Sequence, residues 1–192
     1  RTSAVGGVLA KYSAPSNTAT ATLVGAGVIG RTMIMAICEA IPSLKKIYLC
    51  DLDLPKAQAV AAEYQPQYPG VEIVPTSDSK AAAQQSQLIV TETTAHKPFV
   101  TKEWLTPGCA VISMASDEVE LEVAKMADVI CIDYWKQMIT YEGKAVTKLY
   151  NQGLITQDDV CELGDLTLGN KKGRTSDDQF VFATSMGIGA LD

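Results

Sequence analysis

The sequence lacks the features that would send it to a nucleic acid or a membrane. Lysine and arginine number 16 against 22 aspartates and glutamates, the formal net charge is −6, and the two signs are interleaved rather than blocked. A nucleic-acid surface needs a clustered basic patch that displaces counterions, so no such partner is expected. No apolar run approaches the ~20 residues of a membrane span. The most apolar stretch, 32–41, contains Glu39 and is followed by Pro42. No charged-then-apolar leader is visible, and no membrane partner is expected. The five cysteines (Cys38, Cys50, Cys109, Cys131 and Cys161) form no C-x-x-C pair and are odd in number. That argues against a disulfide framework and a metal-ligand set, and for a reducing, cytoplasmic setting. Histidine is nearly absent: His96 is the single imidazole.

What is present is an alternation of short apolar runs and helical patterns. Residues 1–13 place Val5, Val8, Leu9 and Tyr12 on one helical face and end at the turn-rich Pro15-Ser16-Asn17. Strands are predicted at 21–24, 46–50, 71–74, 88–91, 110–113 and 129–132. Helices are predicted at 29–40, 55–64 (with Pro55 in its first turn) and 79–85. Strands separated by helices predict an α/β fold of Rossmann type, a doubly wound, mostly parallel sheet covered on both faces. After Asp133 the pattern turns helical and irregular, Thr156-Gln157-Asp158-Asp159 reads as a cap, and 164–178 reads as a charged, glycine-rich surface loop. The whole of 1–192 is read as one domain: a leading helix over 1–13, a βαβ core over 20–133, and a helical and loop part over 134–192. The chain opens on Arg1 rather than Met and stops soon after an apolar segment, so a piece of a longer protein is expected.

The strongest chemical signal is Gly25-Ala26-Gly27-Val28-Ile29-Gly30, which follows a predicted strand and opens a predicted helix. In this pattern the first glycine permits a tight turn. The second lets the backbone approach a phosphate, and the third allows close helix–strand packing. The helix start then offers free N–H groups and a positive dipole end to a pyrophosphate. Asp51 follows the second strand, where a carboxylate can accept the hydroxyls of an adenosine ribose and repel a 2′-phosphate. NAD(H) is therefore favoured over its phosphorylated form. Asp53 is a near alternative, placed beyond the strand end.

Ligands of such folds lie at the carboxyl ends of the strands, so 91–94 and 113–117 should line the nicotinamide half. The hydroxyls there could instead satisfy turn N–H groups. His96 reads as a loop residue or as a proton carrier. Asp117 stands just past a buried strand and has two readings. It could exchange a proton with a substrate amine, or it could cap a helix over 118–126, with Glu120 completing a capping box.

Arg1-Thr2-Ser3-Ala4 with Ala10-Lys11-Tyr12, the loop Gly25 to Arg31, and Trp104-Leu105-Thr106-Pro107-Gly108 occur in this order. Glu162-Leu163-Gly164-Asp165, then Gly173-Arg174-Thr175-Ser176-Asp177-Asp178, then Ser185-Met186-Gly187 follow. This ordered set resembles the ornithine cyclodeaminase/mu-crystallin family from one end of the chain to the other. The resemblance implies NAD(P)-dependent oxidation or reduction of the C–N bond of an amino acid or its imine. It implies that Arg1 pairs with a substrate carboxylate and that Thr2 faces cofactor phosphate. Val28 and Ile29 would touch the pyrophosphate through their backbone, and Asp51 would hold the ribose. Thr93, Met114, Ala115 and Ser116 would line the nicotinamide pocket, with Asp117 as acid/base and Ser185 on the nicotinamide side. The family's P-G-K-x-E-L insert is missing after Asp117, which runs directly into Glu118-Val119-Glu120-Leu121. That is similar to a branch that releases 2,3-diaminopropionate from an amino-acid conjugate. Family enzymes also carry a substrate and dimerisation domain ahead of the Arg1 segment. The full-length form is therefore expected to be a homodimer, and the 192-residue chain alone to bind NAD but turn over poorly. The alternative function the resemblance allows is a nicotinamide-dependent carrier of a small ligand, without turnover.

Overall fold

The computed structural model describes residues 1–115 and 118–187. Asp117, expected as the acid/base, and Ser116 lie outside the described residues. Eight strands form one sheet in the order β3-β2-β1-β4-β5-β8-β6-β7. They are β1 (Thr20–Val24), β2 (Lys46–Cys50), β3 (Glu72–Thr76), β4 (Leu88–Thr91), β5 (Ala110–Ser113), β6 (Val129–Ile132), β7 (Val160–Glu162) and β8 (Val181–Thr184). Every neighbouring pair runs parallel. The expected Rossmann-type sheet is present.

Side-chain alternation along the strands divides the core into two layers. Leu23, Ile47, Leu49, Leu88, Val90, Ile112 and Ala183 face one layer. It is closed by α1 (Thr2–Ser13), α2 (Val28–Ala40) and α3 (Leu54–Tyr64) through Leu9, Met33, Ile34, Ile37 and Val60. Ile89, Val111, Ile130, Ile132 and Phe182 face the other. There α4 (Ser79–Ala83), α5 (Leu121–Lys125), α6 (Trp135–Met138) and α7 (Ala145–Asn151) supply Ala83, Val123, Met138 and Leu149. Strands buried on both faces are near-continuous apolar runs, which is why β2, β4, β5 and β6 stand where the sequence predicts them.

Local chemistry fixes the helix starts. Asp53 caps α3 by accepting the Lys56 amide at 3.3 Å, with proline in the first turn. Thr156 and Asp159 form a reciprocal capping box around a short 3₁₀ turn, as the sequence suggested.

Three expectations fail. The region after Asp133 contains two strands, β7 and β8, that were not foreseen. Residues 164–178 are not all loop, because α8 (Leu163–Leu168) occupies the start and ends at Gly169 in the left-handed conformation. The helix expected over 118–126 is only α5. Val119 is instead extended and bridges Val100, and Glu120 is the residue before the helix.

Candidate dinucleotide site

The glycine loop joins β1 to α2 at the carboxyl edge of the sheet. Gly25 has φ +115° and packs on the Glu92 carbonyl, and a Cβ on Gly30 would lie 1.8 Å from the Gly25 carbonyl oxygen. Those two glycines hold the turn shut. Gly27 differs, because a Cβ there would meet no atom within 4 Å. It opens onto a cleft of about 860 Å³ that also includes Asp51, Lys56, Thr93 and His96 among its walls. Val28 and Ile29, in the first turn of α2, are 85% and 42% exposed. The first amides of a helix have no acceptor of their own.

Asp51 follows β2 and packs directly against the loop. Its carboxylate accepts the Ala26 amide at 2.9 Å, the Asp53 amide at 3.0 Å and the Lys56 ammonium at 2.9 Å. Burial works against its charge, but these donors outweigh burial and hold Asp51 below the usual carboxylate range. It thus meets the requirement for an ionised sugar-hydroxyl acceptor. Asp53 caps its own helix start instead.

At the opposite end of the site, Thr93 donates both its amide and its hydroxyl to Glu118. Met114 and Ala115 follow β5 directly, and their carbonyls accept the Lys144 ammonium at 3.2 and 2.8 Å. Ser185, just past β8, donates to Asp133 at 2.8 Å, and the same carboxylate oxygen accepts the Met186 and Gly187 amides. Arg1 and Thr2 are exposed at the start of α1. Ser3 ties that end to α2, donating to the Ile29 carbonyl at 3.1 Å. Thr2 is thereby brought beside the start of α2, whereas Arg1 lines a separate groove with Ser3, Gly7, Thr32 and Met35. The structure brings Gly25, Gly27, Asp51 and Thr93 together around one crevice; Arg1, Val28, Ile29, Gly30, Met114, Ala115 and Ser185 are not among its walls. His96 is exposed on the rim.

Three buried charged groups escaped sequence reasoning: Glu118, Asp133 and Lys144. Glu92, half-buried and within the 91–94 stretch singled out in the sequence, also lines the cleft, and neither of its carboxylate oxygens has a hydrogen-bond partner. Burial, aided by the charge of Glu118, pushes its carboxyl up to about 8. The folded chain therefore keeps a proton on Glu92 that the unfolded chain, ionising near 4.5, gives up. The stability this neutral acid provides is complete below the unfolded value and lost as pH rises through the folded one. Glu92→Gln, which mimics the neutral acid, should melt with the wild type near pH 4.5. It should melt several degrees higher than the wild type at about pH 9, at about 2–4 °C per kcal/mol for a chain of this size. Parallel melting curves across that range would count against a protonated Glu92.

The sequence profile of the ornithine cyclodeaminase/mu-crystallin family matches residues 1–192. The chain belongs to this family. Among the family's curated members, N-((2S)-2-amino-2-carboxyethyl)-L-glutamate dehydrogenase of Staphylococcus aureus is 26% identical over 193 residues, covering 100% of this chain and 57% of that protein. The Thermococcus litoralis Δ1-pyrroline-2-carboxylate reductase, solved with NADH and L-proline, is 26% identical with a TM-score of 0.85. The match covers 97% of this chain and 58% of that one. An archaeal alanine dehydrogenase dimer with bound NAD is 25% identical with a TM-score of 0.84, over 98% of this chain and 58% of its own. The chain thus spans less than two thirds of the length of the family members it matches. Among the described residues no helix is long and apolar enough to cross a membrane.

Proposed function

We propose that residues 1–192 form the dinucleotide-binding unit of an NAD(H)-dependent oxidoreductase acting on the C–N bond of an amino acid or its imine. The observation that carries this reading is the crevice lined by the open backbone of Gly27, the residue before α2, together with the ionised Asp51. The amides of Val28, Ile29 and Gly30 would hold the pyrophosphate, with Thr2 beside it, and Asp51 would accept the ribose hydroxyls. A carboxylate in that place disfavours a 2′-phosphate, and the Lys56 charge next to it is already neutralised. NAD(H), when bound, supplies the hydride acceptor or donor. The chain's own residues orient the two partners and handle the proton.

Thr93, Met114, Ala115 and Ser116 would border the nicotinamide, with Ser185 on the same side. Asp117 would exchange a proton with the substrate nitrogen. Arg1 would pair with the substrate carboxylate, a task suited to a planar two-pronged donor, in the full-length protein. The S. aureus family member supports an amino-acid conjugate as one candidate substrate class. The full-length form is proposed to be a homodimer, and its compartment the cytoplasm. In the full-length protein, Asp117→Asn should reduce turnover by about a thousandfold, within the range of acid–base contributions. NADH affinity should stay within a factor of about two, read by fluorescence titration on the same samples. Normal kcat in that variant would remove Asp117 from the mechanism.

A further inference from the structure

Glu118 and Lys144 are 0% and 3% exposed, and neither has a place in the dinucleotide reading given above. Five donors converge on the Glu118 carboxylate. Oε2 accepts the Thr91 hydroxyl at 2.7 Å, the Ser113 hydroxyl at 3.0 Å and the Ala115 amide at 3.2 Å. Oε1 accepts the Thr93 amide at 2.6 Å and the Thr93 hydroxyl at 2.8 Å. Lys144 approaches the same stretch of chain at the opposite end of the Ala115 residue. Its ammonium donates to the Met114 carbonyl, the Ala115 carbonyl and the Thr184 hydroxyl at 3.2 Å. Thr184 in turn donates to the Ser113 carbonyl at 2.7 Å. The Met114 amide completes the set by donating to Thr91 at 3.0 Å.

The consequence is an unusual degree of control over three residues. Ala115 has its N–H on a buried carboxylate and its C=O on a buried ammonium. The carbonyls of Ser113 and Met114 are also engaged. Two charges are expensive to bury and, as a structural device, often dispensable in favour of apolar packing. Here they meet through the backbone of Ala115 rather than through a direct ion pair, so the network fixes main chain. In sequence, Ser116 and Asp117 are all that separates Ala115 from Glu118.

We propose that Lys144 and Glu118 are a pair of positioning residues that fix the backbone of Ser113, Met114 and Ala115 after β5, the stretch that would border the nicotinamide. The inference rests on the nicotinamide-side role of Thr93, Met114 and Ala115 given under Proposed function. Burial lowers the Lys144 amine to about 8 while the charges of Glu118 and Asp133 oppose that shift. The ammonium form therefore persists at neutral pH, as the three donated bonds require.

The test uses the full-length protein with Lys144→Met, Glu118→Gln and the double variant. Amide hydrogen exchange over residues 113–119, NADH affinity, and kcat and KM for the amino-acid substrate are all measured. Lys144→Met should speed exchange at Ala115 and lower kcat by at least about tenfold, with KM and NADH affinity within about threefold. The double variant should lose no more than the worse single, because both act on one peptide unit. Exchange over 113–119 unchanged in Lys144→Met overturns the proposal, whether or not the protein binds NADH. So does full kcat in both single variants of an active protein. A wild type that binds no NADH and shows no turnover instead refutes the proposed function, and the exchange measurement then decides the pairing by itself.

Discussion

Gly27→Ala is expected to melt at the wild-type temperature and to bind NADH on the order of a hundredfold more weakly, a difference of about 2.8 kcal/mol. The two halves of this expectation have separate causes. A methyl group at Gly27 touches nothing in the protein, so the folded state has no reason to change. The same methyl projects into the crevice where a phosphate would approach the backbone, and it holds that phosphate away from the α2 amides. Gly30→Ala should behave in the opposite way, losing stability and binding together. Its Cβ would sit 1.8 Å from the Gly25 carbonyl oxygen, and only backbone movement relieves that overlap. Calorimetric titration with NADH beside thermal melting of both variants checks the pair. Wild-type affinity in Gly27→Ala would mean that the pyrophosphate, if bound, lies elsewhere.

Arg174→Ala should destabilise the fold by about 3 kcal/mol or more, which lowers the melting temperature by about 6–12 °C. Arg174 belongs to the Gly-Arg-Thr-Ser-Asp-Asp motif by which the family is recognised, yet it does not line the dinucleotide crevice. Its guanidinium serves the backbone. Nε donates to the Ser13 carbonyl at 2.6 Å, one terminal nitrogen to Gln179 at 2.5 Å, and the other to Cys109 at 3.1 Å. The fork thus joins the end of α1, the approach to β5 and the approach to β8. Asp177 braces the same junction by accepting the Ser16 amide at 2.8 Å. Removing the fork strands several carbonyls at once, and each orphaned acceptor adds its own penalty. Arg174→Lys should recover only part of the loss, because an ammonium cannot spread its donors in that plane. Chemical denaturation of the two variants reads the difference directly. A loss below about 1 kcal/mol in Arg174→Ala would show that the junction is held by other contacts.

What the sequence reveals and what it hides follow from the range of the interactions. The glycine loop and Asp51 are legible because their geometry is local: a turn, a helix start, and the end of the next strand. β2, β4, β5 and β6 are legible because burial on both faces leaves an unbroken apolar run. β7 is three residues ending in Glu162, and β8 comes directly after a charged loop, so neither carries a periodic signal. Both become strands through parallel pairing with partners distant in sequence. Glu118, in the run Asp117-Glu118-Val119-Glu120, reads as part of an exposed helix start. Only the fold reveals that hydroxyls from β4 and β5 surround it. Lys144 is hidden in the same way, since its acceptors lie 29, 30 and 40 residues away. Buried charge satisfied by remote backbone leaves no mark in composition or spacing.

The position of β8 between β5 and β6 has a consequence for how the chain is made. The ribosome delivers β6 and β7 well before β8, yet these two strands have no hydrogen-bonded neighbour in the five-strand half until β8 is inserted. During that interval β5 presents a raw edge able to recruit a strand from another nascent molecule. Successful biosynthesis therefore depends on late insertion outrunning association, and dilute conditions or a holding chaperone should raise the yield of correctly assembled protein.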